Sequence, residues 1–241
     1  WDVFEGQYFT EWNREKHVVK AFEIPPTWKR YRAYDHGRTN PACCLWFAVD
    51  YDGRVWVYRE LYVTEMDVDN LGAKINEMSG AVFDEGIKQW IGGEKYEYSV
   101  ADPSIFANIG YRDKFGGQTI AETFARYGIM WLPASNRRVD GWNLMHQYLR
   151  CDEYTLPKIL FFENIRNTTR EIPLALHDEK KPEDLNTNCS DHGLDTTRYL
   201  LMSLHETRTA RPLNEIEQKL SQMQTRSMFT ADNLNELYYD K

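Results

Sequence analysis

The chain has 241 residues, a length that suits one large domain or one domain with arms. At 42% hydrophobic and 14% aromatic residues it can bury a sizeable core. Its formal charge of −8 offers no whole-chain case for binding nucleic acid, which normally shows a basic surplus; DNA contact would need clustered basic residues or another part of a longer protein. Residues 1–28 are mixed, and "EIPPTW" marks a turn before residue 30. The stretch "YRAYDHGRTNPACCLWFAVDYDGRVWVYRELYV" then reads as three strands. The first ends at Asp35, before a His-Gly-Arg turn, and the second, about 42–50, is almost continuously apolar. "DYDG" is a hairpin turn, with Asp and Gly supplying the unusual dihedrals, and the third strand runs from Arg54 to Val63. An antiparallel meander therefore opens the domain.

Residues 67–90 carry Leu71, Ile75 and Met78 at helical spacing, which predicts a helix. "KYEYSVADPS" is a strand that stops at Asp102-Pro103. A helix over 118–127 leads to "GIMWLPA", a buried strand, and then to a helix over 138–150. "KILFF" at 158–162 is a short strand, 163–176 a helix, and "HDEKKPEDLNTN" a solvated charged loop. The last helix covers about 190–206, and from about Thr207 the chain is polar, which fits a peripheral or disordered tail. A meander followed by alternating helices and strands predicts an α/β mixed sheet covered by helices on both faces. Ligands in such sheets collect near the carboxyl ends of central strands.

The cysteines are Cys43, Cys44, Cys151 and Cys189. Adjacent strand residues point to opposite faces and there is no CxxC pair, so neither a disulfide framework nor a zinc site is expected. Cys189 and His192 have C-x-x-H spacing but lack a matching second pair. Reduced thiols suit a cytosol. There is no signal peptide and no apolar run near ~20 residues, so no membrane association is expected.

Asp35 and Asp102 fall at predicted strand ends, and each has an ordinary explanation. Asp35 before Gly-containing sequence suits a turn, and Asp102 suits an N-cap with Pro103 at the first helical position. Asp191 suits the first turn of a helix capped by Asn188. Asp195 is harder to place. It lies beyond capping reach, beside Leu194 and Leu200-Leu201, and gains only an i,i+3 pair with Arg198. His192 shares its helix face. Two strand-end aspartates and one partly buried helix aspartate together make a candidate site for Mg²⁺ or Mn²⁺, which take oxygen ligands from separated elements. Two such ions can activate water and stabilise the leaving oxygen in phosphodiester cleavage.

Four stretches carry a resemblance: "YRAYDHGRTNPACCLWFAVDYDGRVWVYRELY", "VADPSI", "GIMWLPASNRRVDGWNLMHQYL" and "DHGLDTTRYLLMS". In this order and spacing the chain resembles the nuclease domain of the large terminase subunit of tailed bacteriophages and prophages, over roughly residues 1–206. The resemblance implies an RNase H-like fold over 29–206, a connector from an N-terminal ATPase domain over 1–28, and a C-terminal tail over 207–241. The opening "WDVFEGQYF", without an initiator Met, is expected to belong to an excised fragment.

The same resemblance matches Asp35, Asp102 and Asp195 to metal-binding acids, His192 to a residue assisting metal or proton handling, and Asp191 to an extra ligand. It implies two Mg²⁺ or Mn²⁺ ions and endonucleolytic cutting of concatemeric viral DNA during packaging, in the cytoplasm of the bacterial host. It also implies double-stranded DNA, the ATPase domain, the small terminase subunit and the portal as partners. Glu60 reads instead as structural, paired with an arginine. Thr196 and Thr197 stand where the family more often has small apolar residues, which predicts looser helix packing. No G-x-x-x-x-G-K-[ST] loop occurs, so this chain cannot hydrolyse ATP by that route. Candidate DNA contacts are Arg38, Arg137 and Arg138, with Lys29, Arg30 and Arg32 near the first strand. Competing readings are a Holliday-junction resolvase or transposase-like nuclease of the same fold, and a catalytically silent module docking DNA or the portal.

Overall fold

The computed structural model of the protein describes residues 6–107, 119–152, 155–186 and 188–209. A single helical turn, α1 (Arg14–His17), is capped by Asn13 and runs into a two-residue strand, β1 (Val18–Val19). The expected meander follows: β2 (Lys29–Asp35), β3 (Ala42–Val49) and β4 (Val55–Val63). After them come α2 (Val68–Met78), a hairpin of β5 (Ala81–Asp84) and β6 (Gln89–Gly92), and β7 (Tyr98–Ala101). The chain continues through α3 (Ile120–Arg126), β8 (Leu132–Pro133), α4 (Arg138–Leu149), β9 (Ile159–Phe162), α5 (Asn167–Leu174) and α6 (His192–Thr209). All of these up to His205 belong to one compact unit. Beyond the end of α6, the expected tail lies outside the described residues.

Seven strands form one sheet in the order β1-β9-β4-β3-β2-β7-β8. β3 runs against both neighbours, and every other pairing is parallel. In β3 seven successive residues, Ala42–Ala48, are at most 1% exposed, so both faces of the sheet are covered. Alternation along the strands tells which element covers which face. On one face Tyr34 packs on Phe124 of α3, and Trp46 donates to Ser79 at the end of α2. On the other, Asp35 meets α6, Tyr62 reaches α5, and Tyr98 reaches Ser203 of α6. α4 packs on α6 through Gly141, where an added Cβ would lie 2.4 Å from Cγ of Arg198.

Three expectations need correction. The helix predicted over 67–90 stops at Met78, and the β5–β6 hairpin takes the rest. Gly80 takes φ +78°, which ends helical geometry, and Asp84 holds the reversing turn by accepting from the backbone N–H of Gly86 and Ile87. "GIMWLPA" yields only β8, an edge strand with both residues exposed. Pro133 has no N–H to extend a ladder, so the apolar signal came from Ile129 and Trp131, which are buried without being in a strand. The stretch before residue 29 does more than connect: β1 extends the sheet beside β9, and Tyr8 and Phe9 join the core.

Candidate active site

β2 and β7 run parallel with Tyr34 opposite Ala101, so Asp35 and Asp102 are the next residues in register at adjoining carboxyl ends. The N–H of Asp102 donates to the carbonyl of Tyr34 at 2.9 Å. The carboxylate of Asp102 accepts from Ser104 N–H at 2.9 Å and from its hydroxyl at 2.8 Å, capping the 3-10 turn Pro103–Phe106. Its capping role is thus real, and it also stands beside Asp35.

The start of α6 lies over this strand end. His192 Nδ1 is 2.9 Å from Asp35 Oδ2. Asp195 accepts at Oδ1 from Arg198 Nε (2.8 Å) and Nη2 (2.7 Å), and at Oδ2 from Arg138 Nη1 (3.1 Å). The same Arg138 reaches Asp191 Oδ2 with Nη2 (3.3 Å) and Asp184 Oδ1 with Nε (3.3 Å). Asp191 directly precedes the helix, and its carbonyl accepts from Asp195 N–H at 2.7 Å, so α6 begins two residues later than expected and Asn188 lies outside it.

These groups feel one another. Burial pushes the Asp35 carboxyl up to about 7; the His192 hydrogen bond pulls it down, while the charges of Asp195 and Asp102 add to the rise. His192 is raised above the usual histidine range, chiefly by its hydrogen bond to Asp35. Asp191 is raised by burial and by Asp195. Burial also acts upward on Asp184, but hydrogen bonds from Trp142 and Leu185 and the charge of Arg138 hold it below the usual range. The expected site residues Asp35, Asp102, Asp195, Asp191 and His192 therefore converge, from two strand ends and one helix start.

The residues fit a hard cation in part. Asp35 and Asp102 offer hard oxygen donors side by side, and a divalent ion would offset both the burial that chiefly raises Asp35 and the smaller repulsion from its neighbouring acids. Around Asp195, however, both carboxylate oxygens already accept from guanidinium groups. Among the described residues no group of three or more His, Cys, Asp or Glu stands ready as a complete metal cage.

A second set of residues fixes the helix start, and sequence reasoning missed it. Glu171 of α5, 2% exposed, accepts from Gly193 N–H (2.8 Å), Ser190 Oγ (2.7 Å) and Tyr62 Oη (2.5 Å). An added Cβ at Gly193 would lie 2.3 Å from Thr168 Oγ1, so only glycine lets α6 approach α5 this closely. Asp184 was also missed, inside the loop expected to be solvated. It accepts from Trp142 Nε1 at 2.9 Å as well as from Arg138. One acid among four in a charged loop carries no periodic signal that could have marked it.

Other residues part from expectation. Glu60 is structural, but its partner is the start of α5: it accepts from the N–H groups of Arg166, Asn167 and Thr168 and from the Thr168 hydroxyl. Arg59 pairs with Glu94 instead. Thr196 and Thr197 are fully buried yet satisfied, donating to the carbonyls of His192 (2.6 Å) and Gly193 (2.7 Å), so they fill their positions without loosening the helix. Among the basic candidates, Arg32 is 6% exposed and bonded to Ser99 and Ser79, which removes it from any DNA surface. Arg30 turns to Ile24 and Glu94, and Lys29 to Glu97. Arg38 is exposed just past Asp35, and Arg137 is exposed beside Asp140 at 3.3 Å.

No protein-family model matches the chain, and no curated protein matches it either. Solved structures do. The P22 large terminase nuclease domain aligns over 85% of this chain and 95% of its own length, with 17% identity and a TM-score of 0.63. The large terminase from a thermophilic bacteriophage, in complex with ADP, aligns over 81% of this chain with 20% identity and a TM-score of 0.62. The HK97 bacteriophage large terminase aligns over 78% of this chain and 42% of its own length, with 10% identity and a TM-score of 0.55. The chain spans 44% of the length of the thermophilic bacteriophage protein. At these identities the likeness establishes the fold, an RNase H-like mixed sheet with the antiparallel meander at its start.

Proposed function

We propose that this chain is a metal-dependent DNA endonuclease, the nuclease domain of a large terminase subunit, spanning about residues 29–206. The observation that carries the reading is the pairing of His192 with Asp35 at 2.9 Å, beside Asp102 and below Asp191 and Asp195 on a terminase-nuclease fold. Asp35 and Asp102 would hold a Mg²⁺ or Mn²⁺ ion, which when bound lowers the pKa of water and offsets charge on the leaving oxygen of a phosphodiester. His192 orients Asp35 and holds a proton at its ring within reach of it. Glu171 sets the start of α6, and with it the position of that ring. Arg38 and Arg137 are exposed donors for backbone phosphates.

In this reading the substrate is concatemeric double-stranded viral DNA, cut during packaging in the host cytoplasm. The ATPase domain, small terminase subunit and portal are partners of the whole protein. An acidic chain then depends on those partners for most of its DNA affinity. The test is supercoiled-plasmid cleavage with Mn²⁺, Mg²⁺ and a chelator. Cleavage should require the metal and vanish in Asp35→Asn and Asp102→Asn. A resolvase-type nuclease would prefer branched over linear substrate, and a silent docking module would show no metal-dependent cleavage.

A further inference from the structure

A two-metal nuclease site needs two cation positions, and here a guanidinium already stands among the carboxylates at the start of α6. Arg138 is the first residue of α4, and its guanidinium spans three carboxylates from two other segments: Asp184 at 3.3 Å, Asp191 at 3.3 Å and Asp195 at 3.1 Å. Its central carbon lies 5.3 Å from the centre of the Trp142 ring, and Asp184 is itself pinned by Trp142 Nε1 and Leu185 N–H. The missing Cβ at Gly141 lets α4 press on Arg198, which brings Arg138 to the start of α6. Asp195 does not need Arg138 for its own neutralisation. Arg198, 1% exposed, already pairs with it through two nitrogens, and Arg138 is the more solvent-accessible cation of the two.

We propose that Arg138 takes the place of one metal ion, so that this site binds a single divalent cation at Asp35 and Asp102 beside a fixed guanidinium at Asp184, Asp191 and Asp195. The inference rests on the nuclease reading and refines its chemistry. A guanidinium is planar, stays charged, and can donate to two oxygens of one phosphate. Placed here it offsets part of the charge of three carboxylates, as a second ion would, and leaves a further N–H on each terminal nitrogen. It is also the reason the carboxylates at the start of α6 can crowd together without metal.

The test is calorimetric titration of the 241-residue chain with MnCl₂, with electron paramagnetic resonance of the bound Mn²⁺ as an independent count. The wild-type chain should bind one Mn²⁺ with no spin coupling. Arg138→Ala should gain a second site at least tenfold tighter than any second uptake by the wild type, with coupled Mn²⁺ signals. Arg138→Lys, which keeps the charge, should stay nearer one. Two comparable Mn²⁺ sites in the wild-type chain would overturn the proposal while leaving the nuclease reading intact, and that result needs no variant to fold. No Mn²⁺ uptake in wild type, together with no cleavage, would overturn both.

Discussion

Asp35→Asn should change how stability depends on pH, and in a direction opposite to the loss of an ordinary salt-bridged acid. Burial lifts the Asp35 carboxyl from its usual 3.8 to about 7, so between these values the folded protein holds a proton that the unfolded chain has released. The folded state binds more protons, so wild-type stability must fall as pH rises through that window. His192 acts with the same sign: its value is raised by Asp35, and the stability it adds is present below its unfolded value and lost as pH rises through its folded one. At about 1.4 kcal/mol per pH unit, the Asp35 displacement alone corresponds to about 4 kcal/mol of destabilisation once pH exceeds 7. Asparagine keeps the shape and cannot ionise. Urea unfolding with chelator at several pH values from about 4 to 8 should therefore show Asp35→Asn gaining on wild type steadily, by about 2–4 kcal/mol over the range. A stability difference that stays constant, or that shifts in favour of wild type as pH rises, would mean that Asp35 is not a strained carboxylate and would remove the reason to place a cation there.

Asp195→Ala should lower stability by about 3–5 kcal/mol in urea unfolding, because it leaves the buried guanidinium of Arg198 without its carboxylate; loss of cleavage in that variant is thus to be read beside its circular dichroism. Glu60→Ala should cost about 1–2 kcal/mol by uncapping α5, with no change in the metal requirement for cleavage. Gly193→Ala should cost about 1–3 kcal/mol, since its Cβ meets Thr168 Oγ1 and Glu171 Oε2, and a melting temperature equal to wild type would show that α5 and α6 are not so tightly apposed.

The meander was legible in the sequence because its signals are local: an unbroken apolar strand in β3, a DYDG turn, and a strand ending in Asp-His-Gly. Asp195 stood out for a similar reason, since it breaks the apolar pattern on its helix, whereas Asp35 and Asp102 also suited a turn and a cap and were marked as candidates only by their strand-end positions together with the resemblance. What escaped was set by tertiary contact. Within residues 67–90 only Gly80, whose left-handed backbone ends the helix, and the Asp84-Glu85-Gly86 turn distinguish a helix of full length from a helix followed by a hairpin. Glu60 was recognised as structural, but its partner, the start of α5, lies 108 residues on at Thr168. Arg138 looked like one of a pair of surface arginines, yet Arg137 faces an exposed Asp140 while Arg138 enters the acidic cluster. Arg138 is the first residue of α4 and Arg137 its non-helical N-cap, and that single step separates the two roles.

Asp35 and Asp195 solve the same problem in opposite ways. Each is 8% exposed, and each would be costly to ionise alone. Asp195 is compensated by two arginines that arrive from its own helix and from α4, so both its oxygens are engaged before anything binds. Asp35 has one histidine, and its carboxyl remains lifted to about 7. On the proposed metal-dependent reading, an ion approaching this site would gain little at Asp195, where it would have to displace a guanidinium, and most at Asp35, where it would replace a proton held there chiefly by burial. Binding energy for a cation would accordingly concentrate at the ends of β2 and β7. The start of α6 contributes position rather than affinity, through a glycine, a buried glutamate and the histidine they hold over Asp35.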